Sequence, residues 1–300
     1  MTRPFDVGGP RARVALRAYL SCIRYEDVLL LQGSPLLGVA FALREFTVKS
    51  AATVVLFALA SLLLVAHIFT LNDWAGIASD SNDPNKSANV FSTKGITSRG
   101  VLLLSLSLLA GSLLVFALLP RQTLLLAIAI AALGVVYSHP SINTKSMPIL
   151  SSSPHLVGGL LHFLLGYSLF VGIDRRGILI ALFFALTFTA GHLNQEVRDY
   201  DGDRRNGLRT NAVAFGRTAS FFAGLLIFTL AYGDLFLLAY AGIVPAVLGA
   251  LPLVCYPLHV FWSLRTLRGG LTFERVRRFQ SRYRILYALM GLGMVVSLLF

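Results

Sequence analysis

The sequence is poor in charge and in cysteine. Only 13% of its residues are Asp, Glu, Lys or Arg, and its two cysteines, Cys22 and Cys255, stand far apart. This spacing fits neither a cysteine metal motif nor a disulfide framework. The alternating pattern of a membrane β-barrel is absent, and the opening residues lack the apolar core of a secretory signal peptide. A helical membrane protein remains compatible with so little charge.

Hydrophobic residues make up 56% of the chain and occur in long uninterrupted runs. Runs of this length are typical of helices that cross a bilayer. We therefore predict an all-α fold, in which residues 1–300 form a single polytopic membrane bundle. About nine transmembrane helices would surround a central cavity that opens to the cytoplasmic side. The predicted spans are 28–43, 51–71, 100–119, 122–137, 155–173, 177–193, 219–238, 241–262 and 283–300.

The distribution of Lys and Arg predicts the orientation, because cytoplasmic segments of membrane proteins are enriched in both. With a cytoplasmic N-terminal segment (residues 1–25), most of the 26 basic residues fall inside. Only five then lie outside: Arg44, Lys49, Arg121, Arg175 and Arg176. The sequence thus predicts a multi-pass protein of the inner (plasma) membrane, with its C-terminus on the opposite side. The net charge of +12 follows from this topology and gives no indication of nucleic-acid binding.

Residues 194–217 form a dense polar segment between two apolar runs. Within it, Asp199 and Asp203 are four residues apart and would share one face of a helix. Two such carboxylates repel each other unless a cation lies between them, and oxygen ligands of this kind suit Mg²⁺. On charge content alone, a solvated, positive loop is the favoured interpretation of this segment.

A second polar segment, 72–99, follows an earlier apolar run. It contains Asn72, Asp73, Asp80 and Asp83, and then Lys86. A helix is expected to end near Asp83, because a proline follows it. We predict 72–99 and 194–217 as two loops whose acidic groups face each other across the cavity. Together they would hold Mg²⁺ and a diphosphate, whose departure is favoured by cations.

The motif Asp199-x-x-x-Asp203-x-x-x-Gly207-x-Arg209-Thr210 resembles the second aspartate motif of the UbiA superfamily of intramembrane prenyltransferases. Asn72-Asp73 with Asp80 resembles its first motif. Residues 137–148, with Lys145, are similar to the loop that follows the family's fourth helix. The resemblance covers nearly the whole chain.

The resemblance implies Mg²⁺-dependent transfer of an isoprenyl group from an isoprenyl diphosphate to an aromatic or other lipophilic acceptor. The implied partners are these two substrates and membrane lipid, with no nucleic acid and no obligate protein partner. The implied catalytic and metal-binding residues are Asn72, Asp80, Asp199 and Asp203, with Asp73 and Asp83 as further metal candidates. The implied diphosphate-binding residues are Lys145, Arg209, Lys86, Asp73 and Tyr137.

The first motif departs from the family's usual pattern, because Gly76 stands at the position of its middle aspartate. A glycine offers no side chain to a metal, so the first half would bind one metal fewer or use another pair of carboxylates. The same departure leaves two related chemistries open: a terpene cyclase, and a transferase of a phosphoribosyl or other group onto a polyprenyl phosphate. A membrane transporter is a further alternative, although transporter sites typically lie near the bilayer midplane.

Three other features have a structural and a functional interpretation. His192 lies near the mouth of a predicted helix and either lines the cavity or is packed. Glu196 either joins the acidic face or pairs with Arg198, and we favour the pair. The basic residues of 275–284 are interpreted as an anchor to anionic headgroups.

Overall fold

A computed structural model describes residue 19, residues 22–142 and residues 144–299 of the chain. Most of the predicted cytoplasmic segment 1–25 therefore lies outside the described residues. The part of the chain that is described contains helices and no strand, which confirms the all-α prediction.

Eleven α-helices follow one another through these residues. They are α1 (Tyr25–Leu31), α2 (Gly33–Ala42), α3 (Val48–Ser81), α4 (Ser98–Phe116), α5 (Arg121–Ser138), α6 (Ser153–Tyr167), α7 (Arg175–Arg205), α8 (Asn211–Phe215), α9 (Arg217–Tyr240), α10 (Ala250–Arg268) and α11 (Phe273–Leu299). Short 3₁₀ turns occur at Ser87–Asn89, Phe91–Lys94, Thr144–Ser146, Leu150–Ser152 and Ala246–Gly249.

Polar side chains cap the two longest helices at their N-termini. The Thr47 hydroxyl accepts a hydrogen bond from the Ser50 N–H at 3.1 Å, and the Thr47 N–H donates to the Ser50 hydroxyl at 2.8 Å. At the start of α7, the Asp174 carboxylate accepts from the Gly177 N–H at 2.7 Å. Such caps satisfy backbone groups that a helix leaves unpaired. They fix where α3 and α7 begin, and therefore where their far ends lie.

Six helices among the described residues are long and apolar enough to cross a membrane. They are Val48–Ser81, Ser98–Phe116, Arg121–Ser138, Arg175–Arg205, Arg217–Tyr240 and Ala246–Arg268, the last of which joins a 3₁₀ turn to α10. The predicted span 28–43 is divided into α1 and α2 at Gln32, and the predicted span 155–173 is helical only to Tyr167. The described part of the predicted span 283–300 falls within a longer α11. The count of nine spans therefore stays a prediction.

The two segments predicted as loops are partly helical. The helix α3 continues to Ser81, and α7 continues to Arg205, so 72–99 and 194–217 begin inside helices. The predicted boundaries followed the ends of the apolar runs. Helical hydrogen bonds do not depend on apolar side chains, however, and several polar side chains at these helix ends line a cavity.

Close contact between α2 and α6 shapes one wall of the bundle. A Cβ atom on Gly166 would lie 1.7 Å from the backbone oxygen of Pro35, and one on Gly38 would lie 2.2 Å from the backbone oxygen of Phe163. Only glycine allows the two backbones to approach so closely. The buried core, which includes Phe163, Ile180 and Phe184, holds α6 against α7 in turn. This packing fixes the polar end of α7 relative to the first half of the chain.

Candidate active site

A cavity of about 1260 Å³ lies between the two halves of the chain. It is larger than the roughly 300–1,000 Å³ that is typical of small-ligand pockets. Apolar side chains line most of its length; they include Leu37, Val65, Ile68, Phe69, Phe183, Phe184, Phe188, Leu292 and Val295. Charged side chains line it where α3 and α7 end. The cavity therefore suits a molecule with a long apolar part and a charged end.

The two aspartate motifs meet at the charged part of the cavity. Asn72, Asp73 and Asp80, on the last turns of α3, line it. Asp199 and Asp203, on the last turns of α7, line it as well. Asp203 is only 5% exposed. The structure therefore brings together five of the carboxylate and amide side chains that the sequence singled out.

The ammonium group of Lys86 lies between the two motifs. Its Nζ atom is 2.9 Å from an Asp199 oxygen, 3.7 Å from an Asp80 oxygen and 3.9 Å from an Asp83 oxygen. Burial alone would lower the pKa of Lys86, but the charges of Asp199 and Asp80 raise it above its ordinary value. Lys86 is thus a fixed positive charge that links the turn after α3 to the end of α7.

Asp199 is also held by the residue that precedes it. The Arg198 guanidinium donates two hydrogen bonds to the Asp199 carboxylate, at 2.7 and 3.0 Å. Arg198 donates a third, at 3.0 Å, to the side-chain oxygen of Gln280 on α11. A bidentate Arg–carboxylate pair fixes the orientation of the carboxylate as well as its charge. The expected pair between Glu196 and Arg198 is therefore wrong, because Arg198 is engaged by Asp199.

Asp73 and Asn72 have partners on neighbouring segments. Arg24, just before α1, forms an ion pair with Asp73, with an Nε–Oδ2 distance of 3.2 Å. Asn72 donates to the hydroxyl of Ser138 at 3.2 Å. Tyr137, next to Ser138, lines the cavity. Asp73 is therefore neutralised from within the chain.

Asp83 faces the second motif and does not line the cavity. It is 3% exposed, and its carboxylate accepts a hydrogen bond from the Asn85 N–H at 2.9 Å. A Cβ on Gly202 would lie 2.3 Å from Asp83 Oδ2, so only a glycine at 202 leaves room for this carboxylate. In this arrangement Asp83 stabilises the turn after α3 and its contact with α7.

Position 76 faces the neighbouring carboxylate of the first motif. A Cβ on Gly76 would lie 3.4 Å from Asp80 Oδ2, and the other atoms near it belong to Asp80 and Ser79 side chains. The missing aspartate would therefore stand beside Asp80. Without an aspartate at 76, the carboxylate that lines the cavity from the last two turns of α3 is Asp80.

The basic residues of the site only partly match the prediction. Lys86 and Lys145 line the cavity, whereas Arg209 is exposed and is not part of its lining. Cations that the motifs did not indicate line it instead: Arg24, Arg198, Arg277 and Arg284. The last two come from the segment 275–284, which was interpreted only as a lipid anchor. No local spacing could reveal this role, since the helix that carries them is distant in sequence from both motifs.

A magnesium site was predicted from the same carboxylates. Among the residues described here, no three Asp, Glu, His or Cys side chains are grouped closely enough to hold a metal ion on their own. Lys86, Arg198 and Arg24 are the cations that contact Asp80, Asp199 and Asp73. Their oxygen chemistry nevertheless fits Mg²⁺, which keeps several waters and takes one or two carboxylates together with substrate phosphates. The residues thus fit an ion that binds together with a diphosphate.

A histidine pair lines the cavity close to Tyr137. The rings of His155 and His192 are stacked, with centroids 3.7 Å apart and an interplanar angle of 11°. His192 Nε2 lies 3.0 Å from Glu196 Oε1, and the same oxygen accepts from the Ser151 hydroxyl at 2.9 Å. His192 therefore lines the cavity, one of its two expected roles. His155 was missed by the sequence analysis, although its position directly after a Pro-rich loop and before an apolar run was a signal.

The sequence matches the UbiA prenyltransferase family over residues 34–282. A curated relative, the digeranylgeranylglyceryl phosphate synthase of Natronomonas pharaonis, is 31% identical over 144 residues. This match covers 44% of the chain and 47% of the relative, so the chain spans about half the length of the protein it matches.

Solved structures share the fold. A UbiA homologue from Archaeoglobus fulgidus bound to GPP and Mg²⁺ has a TM-score of 0.73 at 19% identity, over 93% of this chain and 99% of that one. A UbiA homologue from Aeropyrum pernix K1 has a TM-score of 0.70 at 19% identity, over 91% and 98% of the two chains. At such identities the likeness concerns the fold. The match over residues 34–282 is what decides the family, and the chain belongs to the UbiA prenyltransferase family.

Proposed function

We propose that the protein transfers an isoprenyl group from an isoprenyl diphosphate to a lipophilic acceptor within the membrane, and that it requires Mg²⁺. The observation that carries the proposal is the convergence of Asp80, Asp199 and Asp203 with Lys86 at the charged part of an apolar cavity. An isoprenyl diphosphate has this same division between a charged head and an apolar tail.

The metal ligands would be Asp80, Asp199, Asp203 and Asn72, with Asp73 and Asp83 in the supporting roles described above. When bound, Mg²⁺ would neutralise charge that develops on the leaving diphosphate. Lys86 and Lys145 would bind the phosphate oxygens directly. Arg209 is a weaker candidate, since it is exposed.

The chain's own residues prepare the site for bond cleavage. Arg198 holds the Asp199 carboxylate in one orientation, and Lys86 supplies positive charge before any substrate arrives. Preorganised charges stabilise a transition state without reorganisation during the reaction. The apolar walls, including Phe183 and Phe188, exclude water from the allylic cation. Aromatic faces also stabilise a cation by cation–π interaction.

The acceptor is proposed only by class. The relative from Natronomonas pharaonis is named for a product with two geranylgeranyl groups on glyceryl phosphate. A lipid alcohol of this kind and an aromatic ring are both compatible with the cavity. We further propose an inner-membrane location with the charged part of the cavity on the cytoplasmic side, as the distribution of Lys and Arg predicts.

The decisive experiment incubates purified protein with Mg²⁺ and a panel of isoprenyl diphosphates. The acceptors would be 4-hydroxybenzoate, geranylgeranylglyceryl phosphate and a bacterial membrane lipid extract, with products identified by mass spectrometry. We expect prenylated product in the wild type. The activity of Asp199→Asn should fall by at least about 10²-fold, because the site loses a preorganised charge.

The matched control is Asp201→Asn on the same helix. Asp201 is exposed, pairs with Arg217 and does not line the cavity, so this variant should keep wild-type activity. Equal activity in Asp199→Asn and Asp201→Asn would overturn the proposed site. Cyclised hydrocarbon in place of a prenylated acceptor would instead identify a terpene cyclase.

A further inference from the structure

Prenyl transfer releases a proton as well as diphosphate. The carboxylates of the aspartate motifs are paired with cations or, in the case of Asp203, are proposed to bind Mg²⁺. The acceptor loses a proton from its hydroxyl group or ring carbon when it bonds to the prenyl group. Asp199 is held by Arg198 and Lys86, and Asp73 is held by Arg24. Carboxylates engaged by cations are poor proton acceptors. The proton therefore requires another group that lines the cavity.

His155 has a ring nitrogen available for this role. Its Nδ1 atom lies 3.2 Å from the backbone carbonyl oxygen of Ser151. A carbonyl oxygen only accepts hydrogen bonds, so Nδ1 carries the proton of the neutral ring. The other nitrogen, Nε2, then has a free lone pair. His155 lines the cavity and is only partly buried, so this lone pair belongs to a side chain that substrate can reach.

The residues around His155 hold the stacked pair in a fixed orientation. His192 stacks on it and contacts the Glu196 carboxylate at 3.0 Å. Ser151 connects His155 with Glu196, because its carbonyl oxygen accepts from His155 and its hydroxyl donates to Glu196 at 2.9 Å. Asn211 of α8 in turn donates to the Ser151 hydroxyl at 2.9 Å. The Glu196 carboxylate therefore orients the His192 ring, and the stacking orients His155 in turn.

We propose that His155 accepts the proton of the prenyl acceptor, with His192 and Glu196 as positioning residues; this inference rests on the proposed function. In the step, the C1–O bond of the donor breaks and its electron pair leaves with the diphosphate. An electron pair of the acceptor forms the new bond to C1. The proton of the acceptor moves to Nε2 of His155, which balances atoms and charge.

Two measurements on His155→Phe test the assignment. The phenyl ring keeps the stacking on His192 and removes the base. Binding of geranyl S-thiolodiphosphate with Mg²⁺, measured by calorimetry, should stay within about twofold of wild type. The kcat for prenyl transfer from geranyl diphosphate to the best acceptor of the panel should fall by about 10²–10⁴-fold, the typical contribution of general acid–base catalysis.

A rescue experiment separates a proton acceptor from a packing residue. His155→Ala leaves space in the cavity, and added imidazole should restore part of its kcat. The same imidazole should not restore Asp199→Asn. Glu196→Gln should lower kcat while leaving binding of the thiolo analogue unchanged, and imidazole should not rescue it. The control is His139→Phe, because His139 lies on a loop and does not line the cavity.

The possible failures are distinguishable. Wild-type transfer in His155→Phe would overturn the assignment and would point to the leaving diphosphate as the proton acceptor. Absence of imidazole rescue together with weakened analogue binding would show a structural role and would also overturn it. If the wild type itself neither binds the analogue nor forms product, the proposed function fails, and this inference fails with it.

Discussion

At the residue scale, the site combines positions that the sequence reveals with positions that only the fold reveals. Asp199 and Asp203 were predictable, because a separation of four residues places them on one helix face. The contact between Lys86 and Asp199 was not, since the two residues are far apart in sequence and meet only through the packing of α3 and α7. His155 belongs to the second kind, because its partner Ser151 is a backbone acceptor that no motif encodes.

The substitution Gly76→Asp tests how the first motif binds metal. A carboxylate at 76 would stand beside Asp80, since a Cβ there lies 3.4 Å from Asp80 Oδ2. We expect Mg²⁺ to activate the variant at a lower concentration, by roughly tenfold, because an added ligand charge strengthens cation binding. Without Mg²⁺ the paired carboxylates should lower stability by about 0.2–0.5 kcal/mol.

The measurements are a Mg²⁺ titration of prenyl transfer and thermal unfolding with and without Mg²⁺. Gly76→Asn is the control, because asparagine has nearly the same size and no charge. If both variants change the Mg²⁺ requirement equally, charge at 76 has no part in metal binding. If both unfold, glycine is needed there for packing.

At the element scale, the site depends on contact between the ends of two long helices. The turn after α3 approaches α7 so closely that Asp83 lies against Gly202. Asn206, at the end of α7, donates to the backbone oxygen of Ser79 at 2.9 Å and so joins the same two elements. Hydropathy could not predict this contact, because it concerns polar helix ends and a glycine that is unremarkable in the sequence. The contact between Lys86 and Asp199 joins the same two elements as well.

Gly202→Ala should separate the two helix ends. The added Cβ would lie 2.3 Å from Asp83 Oδ2, and overpacking of this kind typically costs about 1–3 kcal/mol. We expect a lower temperature of thermal unfolding in detergent and weaker binding of geranyl S-thiolodiphosphate. Adding Asp83→Ala should restore part of the stability, because it removes the atoms that the new methyl group meets.

Gly191→Ala in the same helix is the matched control for stability. The nearest atom to a Cβ there is the Tyr283 hydroxyl oxygen at 3.8 Å, which is an ordinary contact. This variant should be neutral or slightly stabilising, since alanine favours helix more than glycine does. A double-mutant cycle without coupling between 83 and 202 would contradict the proposed contact.

At the scale of the whole molecule, apolar runs predicted the long helices well and the short ones poorly. Six helices among the described residues meet the requirements of a span. The helix α6 ends after 15 residues, and α1 and α2 are shorter still. In α2 and α6 many apolar residues are buried against neighbouring helices, whereas others, such as Leu36 and Val157, are exposed and would face lipid. Composition alone cannot separate these two causes.

Cysteine labelling tests the predicted orientation. Cys22 and Cys255 are both buried, so the natural background should be low. Arg121 and Arg205 are both exposed. Because the sequence predicts that they lie on opposite sides of the membrane, Arg121→Cys and Arg205→Cys would place one accessible thiol on each side. In intact cells, a membrane-impermeant maleimide should label the first variant and reach the second only after permeabilisation. The reverse pattern would invert the orientation and place the aspartate motifs on the outer side.

The lengths of α3 and α7 determine how far their aspartate-bearing ends lie from the hydrocarbon layer. With 34 and 31 residues, these helices extend roughly 51 and 46 Å, whereas the hydrocarbon layer is about 30 Å thick. Their aspartate-bearing turns can therefore stand in water while their other ends stay among acyl chains. In the proposed reaction, helices of this length would hold the diphosphate end of the donor at a constant distance from the hydrocarbon layer. A donor with a longer chain would change only how much of the apolar cavity is filled, and the bond that breaks would remain at the same depth.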